Sequence, residues 1–130
     1  MDESLIKTHT KINKALCGTP LTLSEGAAEA ALDTTIDMAV DDNGLIHGGF
    51  VFGLADYAAM LAVNHPFVVL GSSNCRFLKP SKPGERLIAS ARVTTEEGRK
   101  ITVEVFITRG NEKIFSGEFA CAVLDKHVLA

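Results

Sequence analysis

The sequence predicts an α+β domain in which a curved antiparallel sheet of about five strands wraps one long central helix, with a second helix at the N-terminus. Three observations predict it. Residues Gly48 to Asn64 are apolar or small nearly all round, the pattern of a helix enclosed by protein rather than laid on a surface. Four stretches beyond Pro66 have strand character: Phe67 to Leu78, Arg86 to Thr95, Lys100 to Thr108 and Lys113 to Leu124. The links Glu96-Glu97-Gly98-Arg99 and Arg109-Gly110-Asn111-Glu112 are short enough for hairpins, so the last three strands form an antiparallel meander.

Each element has its own signal. From Glu3 to Leu16, the residues Leu5, Ile6, His9, Ile12 and Leu16 lie near helical spacing, and Gly18-Thr19-Pro20 ends the run. From Ala28 to Val40 the apolar residues Ala28, Ala30, Leu32, Ile36, Met38 and Val40 alternate with Glu29, Asp33, Thr35 and Asp37, which predicts a first strand. Asp41-Asp42-Asn43-Gly44 is a turn. The enclosed helix would be about 25 Å long at 1.5 Å per residue. His65-Pro66 closes it, because proline disfavours helical backbone in the residue before it. In the meander, Leu87, Ala89, Ala91 and Val93 share one strand face, and Ile101, Val103, Val105 and Ile107 share another.

The length of 130 residues accommodates one domain, spanning 1–130, with a real core. At 46% hydrophobic and 22% charged residues, the chain has the composition of an ordinary globular protein. A net charge of −3 leaves no broad cationic field, so nucleic acid is a poor candidate partner. The longest apolar stretch, Phe50 to Val63, is too short for a bilayer and carries Asp56, so no membrane is implied. Cys17, Cys75 and Cys121 follow neither disulfide-framework nor zinc spacing, and read as small buried thiols. Met1-Asp2-Glu3 lacks the basic start of a secretory signal, so a cytoplasmic location is expected.

The chemistry centres on one acid. Asp56 is the only group between Gly48 and Val63 that is charged at neutral pH, and no positive side chain lies within one helical turn of it. A carboxylate in apolar surroundings costs several kcal/mol unless paired or hydrogen-bonded. Such an acid either faces solvent or a distant backbone amide, or it has a function. His47-Gly48-Gly49 stands where the helix begins, and residues without a Cβ let a ligand approach the first N–H groups, which lack intrahelical acceptors and suit an oxyanion or a polarised carbonyl. The bland readings are turn geometry for the glycines and capping or packing for His47. Asp56 follows those glycines by two helical turns, about 11 Å, too far for one small electrophile. A second subunit could bring the helix start of one chain to the acid of the other, and it would also cover the apolar surface that one sheet cannot enclose.

The stretch from His47 to Asp56, HGG followed by six residues and then Asp with Leu54-Ala55 before it, resembles the phenylacetate-pathway (PaaI-like) branch of hotdog-fold acyl-CoA thioesterases. Gly44, Asn64 and Phe77-Leu78-Lys79-Pro80 agree with that context. The resemblance implies a hotdog fold and an active site at a homodimer interface, with dimers able to pair further into tetramers. There the Gly48 N–H polarises the thioester carbonyl and Asp56 of the other subunit attacks or activates water. His47 would shape the turn or contact the carbonyl, and Gly49, Asn43 and Asp41 would line the substrate site. No metal or other cofactor is implied. The family often has Asn six residues before the histidine, where this chain has Asp41 with Asn43 two residues on, and often Ser or Thr after the acid, where Tyr57-Ala58-Ala59-Met60 follows. CoA phosphates call for basic groups at the mouth; Arg76, Lys79 and Lys82 around the Leu78-Lys79-Pro80 corner are the candidates, against plain solvated charge. Tyr57 and Asn64 are assigned packing and capping.

Two rival readings differ in kind. Gly84-Glu85-Arg86-Leu87 through Phe115-Ser116-Gly117-Glu118-Phe119 also resembles the effector domain of malonyl-CoA-responsive lipid regulators, non-catalytic sensors that lack the HGG and acid pair. The segment ahead of the strands is expected to be too short for a helix-turn-helix domain. A hotdog dehydratase or hydratase would need an acid and a histidine converging on the acyl chain, and His47 beside Gly-Gly suits a thioesterase better.

Overall fold

The alternating strands close into one sheet. In the computed structural model, which describes all 130 residues, six strands are present: β1 (Thr19–Ser24), β2 (Ala27–Asp33), β3 (Val68–Phe77), β4 (Arg86–Glu97), β5 (Lys100–Arg109) and β6 (Glu112–Val123). Their order is β1-β2-β4-β5-β6-β3, and every neighbouring pair is antiparallel. A short helix α1 (Lys14–Cys17) precedes the sheet, and the long helix α2 (Gly48–Val63) lies across β2, β4 and β5.

Small side chains let α2 settle closely on the sheet. Ala30 stands opposite Ala89, and Ala28 opposite Ala91, so the strands beneath the helix present methyl groups. Above them the buried helix face carries Leu54, Ala55, Ala58, Ala59 and Ala62. Larger residues fill the flank, where Val103 meets Phe119 and Ile107 meets Phe115, all fully buried. This interlocking of small against small, with bulky residues beside them, is how an interior reaches crystal-like density. One sheet wrapping one long helix is the hotdog arrangement expected from the sequence.

The structure departs from the expected elements at the N-terminal end. The continuous helix over Glu3 to Leu16 is replaced by a 3-10 turn at Glu3–Leu5 and by α1. Two separate caps compete for the chain. Asp2 accepts from the Ser4 N–H at 3.0 Å, and Asn13 accepts from those of Ala15 and Leu16 at 3.0 and 3.3 Å. Between them His9 adopts a left-handed backbone, φ 53°, which no helix continues through. β1 was not anticipated, because Gly18-Thr19-Pro20 reads as a helix stop and an edge strand is only half-buried; Pro20 is tolerated there because an edge strand has N–H groups with no ladder partner to lose. The first predicted strand ends early, at Asp33, and Ile36–Met38 is a 3-10 turn. Thr34 diverts it: its N–H donates to Glu85 O, its hydroxyl lies 2.8 Å from Lys82 O and 3.0 Å from Glu85 O, and it accepts from the Glu85 N–H.

The N-terminal segment is nonetheless fastened to α2. Asn64, left-handed at φ 51°, caps α2 through its N–H to Met60 O; its side chain accepts from the Lys7 N–H at 2.8 Å and donates to Leu5 O at 3.0 Å. Gly18 seats the segment at the other end. At φ 119° it occupies backbone that side chains rarely adopt, and a Cβ there would lie 2.7 Å from Leu54 Cδ1 and 3.2 Å from Ala31 O. Gly18→Ala is therefore expected to destabilise the protein by about 1–3 kcal/mol, read as a lowered urea midpoint at unchanged slope.

Candidate functional site

The start of α2 is open to a ligand. His47 occupies the N-cap position with extended backbone, φ −60° and ψ 128°, and no side chain caps the helix. The N–H groups of Gly48 and Gly49 have no acceptor within the chain, and they sit at the positive end of the helix dipole. His47 holds this turn by donating its own N–H to Met38 O at 2.9 Å. Its ring, edge-on to Phe50 at 6.0 Å between centroids, arches over Gly49 so closely that a Cβ there would lie 2.8 Å from Nε2. Gly48 is flanked by the ring of Phe77, itself half exposed. A hollow of about 360 Å³ opens beside it, walled by Leu45, Val51, Phe77, Leu78 and Ser81.

Asp56 lies further along the same side of α2. At 100° per residue, Gly49, Phe52, Gly53 and Asp56 fall within an arc of about 100°, and all four retain some exposure where the opposite face is sealed. A Cβ at Gly53 would meet nothing within 4 Å, so the space one turn before the acid is open. Asp56 Oδ1 is buried without a hydrogen-bond partner. Burial raises its carboxyl from the ordinary 3.8 to about 6. Its surroundings come from both ends of the chain. The thiols of Cys17, beside the seat of the N-terminal segment, and of Cys121 on β6 are each raised by burial and then by the Asp56 charge, Cys121 to about 11.

The remaining predicted residues separate into groups. Asp41 is consumed by its turn, accepting from the N–H groups of Asn43 and Leu45, both at 3.1 Å. The Asn43 side chain instead lines a second, more polar hollow of about 400 Å³ with Ser81, Lys82, Glu85 and Arg109. Lys79 is paired with Glu112 at 3.3 Å, whereas Lys82 makes no ion pair. Arg76 lines a different hollow from either lysine, together with Glu104 and Glu118. Three residues near the helix start and the corner were given no role from the sequence, although Phe77 belongs to the Phe77-Leu78-Lys79-Pro80 stretch that carries part of the resemblance. Arg109 pins the corner by donating to Pro80 O at 2.7 Å and by pairing with Glu85 and Glu112; Phe77 walls the helix start; Ser81, 6% exposed, has a buried hydroxyl without a partner. Each depends on contacts far apart in the chain, which periodicity does not report.

Within one chain, Gly48 and Asp56 are about 12 Å apart along the helix. They cannot both touch one carbonyl group. The arrangement offers donors without acceptors at one point and a raised, unpartnered carboxylate at another.

The chain is similar to known proteins over much of its length. The thioesterase superfamily pattern matches residues 43–115, which include the helix start, the acid and the corner. Among curated relatives, methylthioribose-1-phosphate isomerase of Aquifex aeolicus is 52% identical over 114 residues, covering 88% of this chain but 25% of that protein. Transcription factor FapR of Caldanaerobacter subterraneus is 26% identical over 129 residues, covering 98% of this chain and 64% of FapR. The chain thus spans less than two thirds of the length of either relative. Among solved structures, the uncharacterized protein PH1136 of Pyrococcus horikoshii superposes with a TM-score of 0.94 at 51% identity, covering 95% of both chains. An N33D mutant of the phenylacetic acid degradation protein PaaI of Thermus thermophilus gives 0.79 at 28% identity, covering 85% of this chain and 96% of that one. The helix-wrapping sheet and the matched span together place this chain in the thioesterase superfamily, with the hotdog fold.

Proposed function

We propose that the protein is an acyl-CoA thioesterase that works as a homodimer, hydrolysing a thioester to a free acid and CoA. The observation that carries this is the buried, unpartnered oxygen of Asp56 on the same helix side as the acceptor-free N–H groups of Gly48 and Gly49. The thioester carbonyl oxygen accepts from the Gly48 N–H of one subunit. Asp56 of the other takes a proton from water as the water oxygen bonds to the carbonyl carbon, or its carboxylate bonds to that carbon first and water then cleaves the anhydride. Either way the C–S bond breaks, the electron pair leaves on sulfur, and the products are the same. A thiol of pKa near about 8.5 departs readily as the thiolate, so no strong acid is needed. A carboxyl raised to about 6 is still mostly ionised at pH 7 and is a stronger base than an ordinary aspartate.

The helix geometry and the sheet support a second subunit. β3 is an edge strand whose middle, Gly71 to Asn74, is small and exposed, and Phe77 and Leu78 at its end are 53% and 45% exposed. A partner along this edge would cover apolar surface and supply ladder hydrogen bonds.

A second reading, a non-catalytic acyl-CoA sensor, is favoured by the similarity to FapR along nearly the whole chain. A panel of acyl-CoA thioesters with detection of released thiol separates the two. The thioesterase releases CoA catalytically from at least one of them; tight binding of CoA esters with no turnover across the panel would establish the sensor instead.

A further inference from the structure

Tyr57 is the one tyrosine of the chain and is 2% exposed, yet no group of the chain bonds its hydroxyl. The side-chain oxygens sealed from solvent without a partner are those of Asp56 and Ser81 alone, so the Tyr57 hydroxyl, equally unbonded, keeps some accessible surface. The residue lines a cavity of about 200 Å³ between α2 and the N-terminal segment, together with Glu3, Ile6, His9, Thr10 and Lys14. Burial, and then the nearby charge of Glu3, raise its phenol, which is therefore protonated at neutral pH. Tyr57 follows Asp56 in sequence, but a helix turns about 100° per residue, and Asp56 is not part of this wall.

A second wall residue is held under strain. His9 has a left-handed backbone at φ 53°, a conformation that side chains disfavour, and strain of this kind collects at ligand clamps. Its ring lies 6.3 Å from that of Tyr57 between centroids. The hydroxyl of Thr8, itself 5% exposed, sits 2.7 Å from His9 Nδ1 and fixes the ring, while Nε2 is bonded to nothing in the chain. The surrounding segment is anchored as well. Asn13 caps α1, and Asn64 ties both Leu5 and Lys7 to the end of α2.

The lining selects for charge and size. Glu3 and Lys14 pair with each other, so the wall carries no net charge from them. Burial holds the His9 imidazole below its ordinary value, which keeps it neutral at pH 7. An ion entering would shed its hydration without meeting a free counter-charge. Three groups remain free to bond a guest: the hydroxyls of Tyr57 and Thr10, each able to donate and accept, and His9 Nε2, which does one or the other by tautomer. Ile6 adds an apolar wall. The volume lies below the roughly 300 Å³ at which sites for drug-sized ligands begin. We propose that this cavity is a second ligand site, separate from Asp56, for a small neutral molecule carrying several hydroxyls, of the size of a four-carbon polyol or a pentose. The site stands whether or not the chain hydrolyses thioesters, because none of its groups belongs to that reaction.

The chain supplies its own reporter. With one tyrosine and no tryptophan, its tyrosine fluorescence comes from Tyr57 alone. Erythritol and D-xylose are titrated into the protein, with xylonate as the charged counterpart of xylose, while amide proton–nitrogen NMR spectra locate the residues that respond. At least one neutral probe is expected to change the fluorescence saturably, with amide shifts centred on residues 3–14 and on Tyr57, and xylonate to bind at least about tenfold more weakly than xylose. Tyr57→Phe, followed by the amide shifts, should bind the neutral probe about tenfold more weakly, with a Tm equal to or above that of wild type because its hydroxyl has no partner to lose. His9→Asn, which tolerates the left-handed backbone, should weaken binding to a similar degree. Absence of a saturable response to either neutral probe overturns the proposal, as do shifts centred elsewhere or xylonate binding as tightly as xylose. Unchanged affinity in Tyr57→Phe, or a lowered Tm that marks its hydroxyl as structural, overturns it equally. Turnover of acyl-CoA bears on none of these readouts, so the thioesterase reading and this site fail independently.

Discussion

Asp56→Ala is expected to lower kcat/KM for acyl-CoA hydrolysis at least about a hundredfold, the scale of a positioned base or nucleophile. The same variant should fold as well as wild type or better, which separates this loss from simple unfolding. Ionised Asp56 is a liability to the fold: its Oδ1 is buried without a partner, and burial lifts its carboxyl from 3.8 to about 6. The direction of the pH effect follows. Between about pH 4 and 6 the folded protein keeps a proton that the unfolded chain has released, so this group's contribution is complete at low pH and is lost as pH rises through about 6. The shift corresponds to roughly 3 kcal/mol at most. Urea titrations of wild type and Asp56→Asn should therefore differ little near pH 4, with the variant gaining relative stability up to pH 7. In wild type, kcat/KM should fall about tenfold per pH unit below about pH 6, as the carboxylate is protonated. Undiminished release of CoA by Asp56→Ala would end the proposed mechanism.

Gly48→Pro should be nearly as damaging to catalysis while sparing the helix. Proline is favoured in the first turn of a helix, where its missing N–H has no intrahelical acceptor to lose. The preceding residue, His47, already has the extended backbone that proline requires of its neighbour, with ψ 128°. A Cβ at this position would lie 3.4 Å from the nearest atom of the Phe77 ring, an ordinary contact. The variant thus removes one donor and little else. Loss of an oxyanion donor typically costs about 10²–10³ in kcat. The expected result is that loss with an unchanged far-UV circular dichroism spectrum and a Tm close to that of wild type. Full activity in a folded Gly48→Pro protein would show that this N–H does not hold the carbonyl oxygen.

Much of the fold was legible because it rests on periodicity. The enclosed helix was read as Gly48 to Asn64 and is found at Gly48–Val63 with Asn64 as its cap, since an all-round apolar stretch halted by His65-Pro66 has few other solutions. The meander strands were read within a few residues of their observed ends for the same reason: alternation over eight or more residues is hard to satisfy otherwise. The N-terminal helix misled because helical spacing of five apolar residues says nothing about a left-handed His9 or about Asp2 and Asn13 each starting a separate turn. β1 was hidden by its position at the edge, where burial is partial and the alternation weak.

The candidate site divides along the same line. A lone acid in an apolar helix, and glycines at that helix's start, are statements about neighbours in the chain, so Asp56, Gly48 and Gly49 could be named from the letters. What surrounds them could not. Cys17 and Cys121 approach Asp56 from opposite ends of the sequence, Glu112 neutralises Lys79 but not Lys82, and Ser81, whose hydroxyl is buried without a partner, sits in a corner held by Ile46, Thr34 and Arg109. Local pattern is written in residues three, four or two apart, which set helix and strand. Burial, charge pairing and hydrogen-bond satisfaction arise when distant segments meet, and these are the quantities that turn a lone aspartate into a raised carboxyl with a buried, unpartnered oxygen.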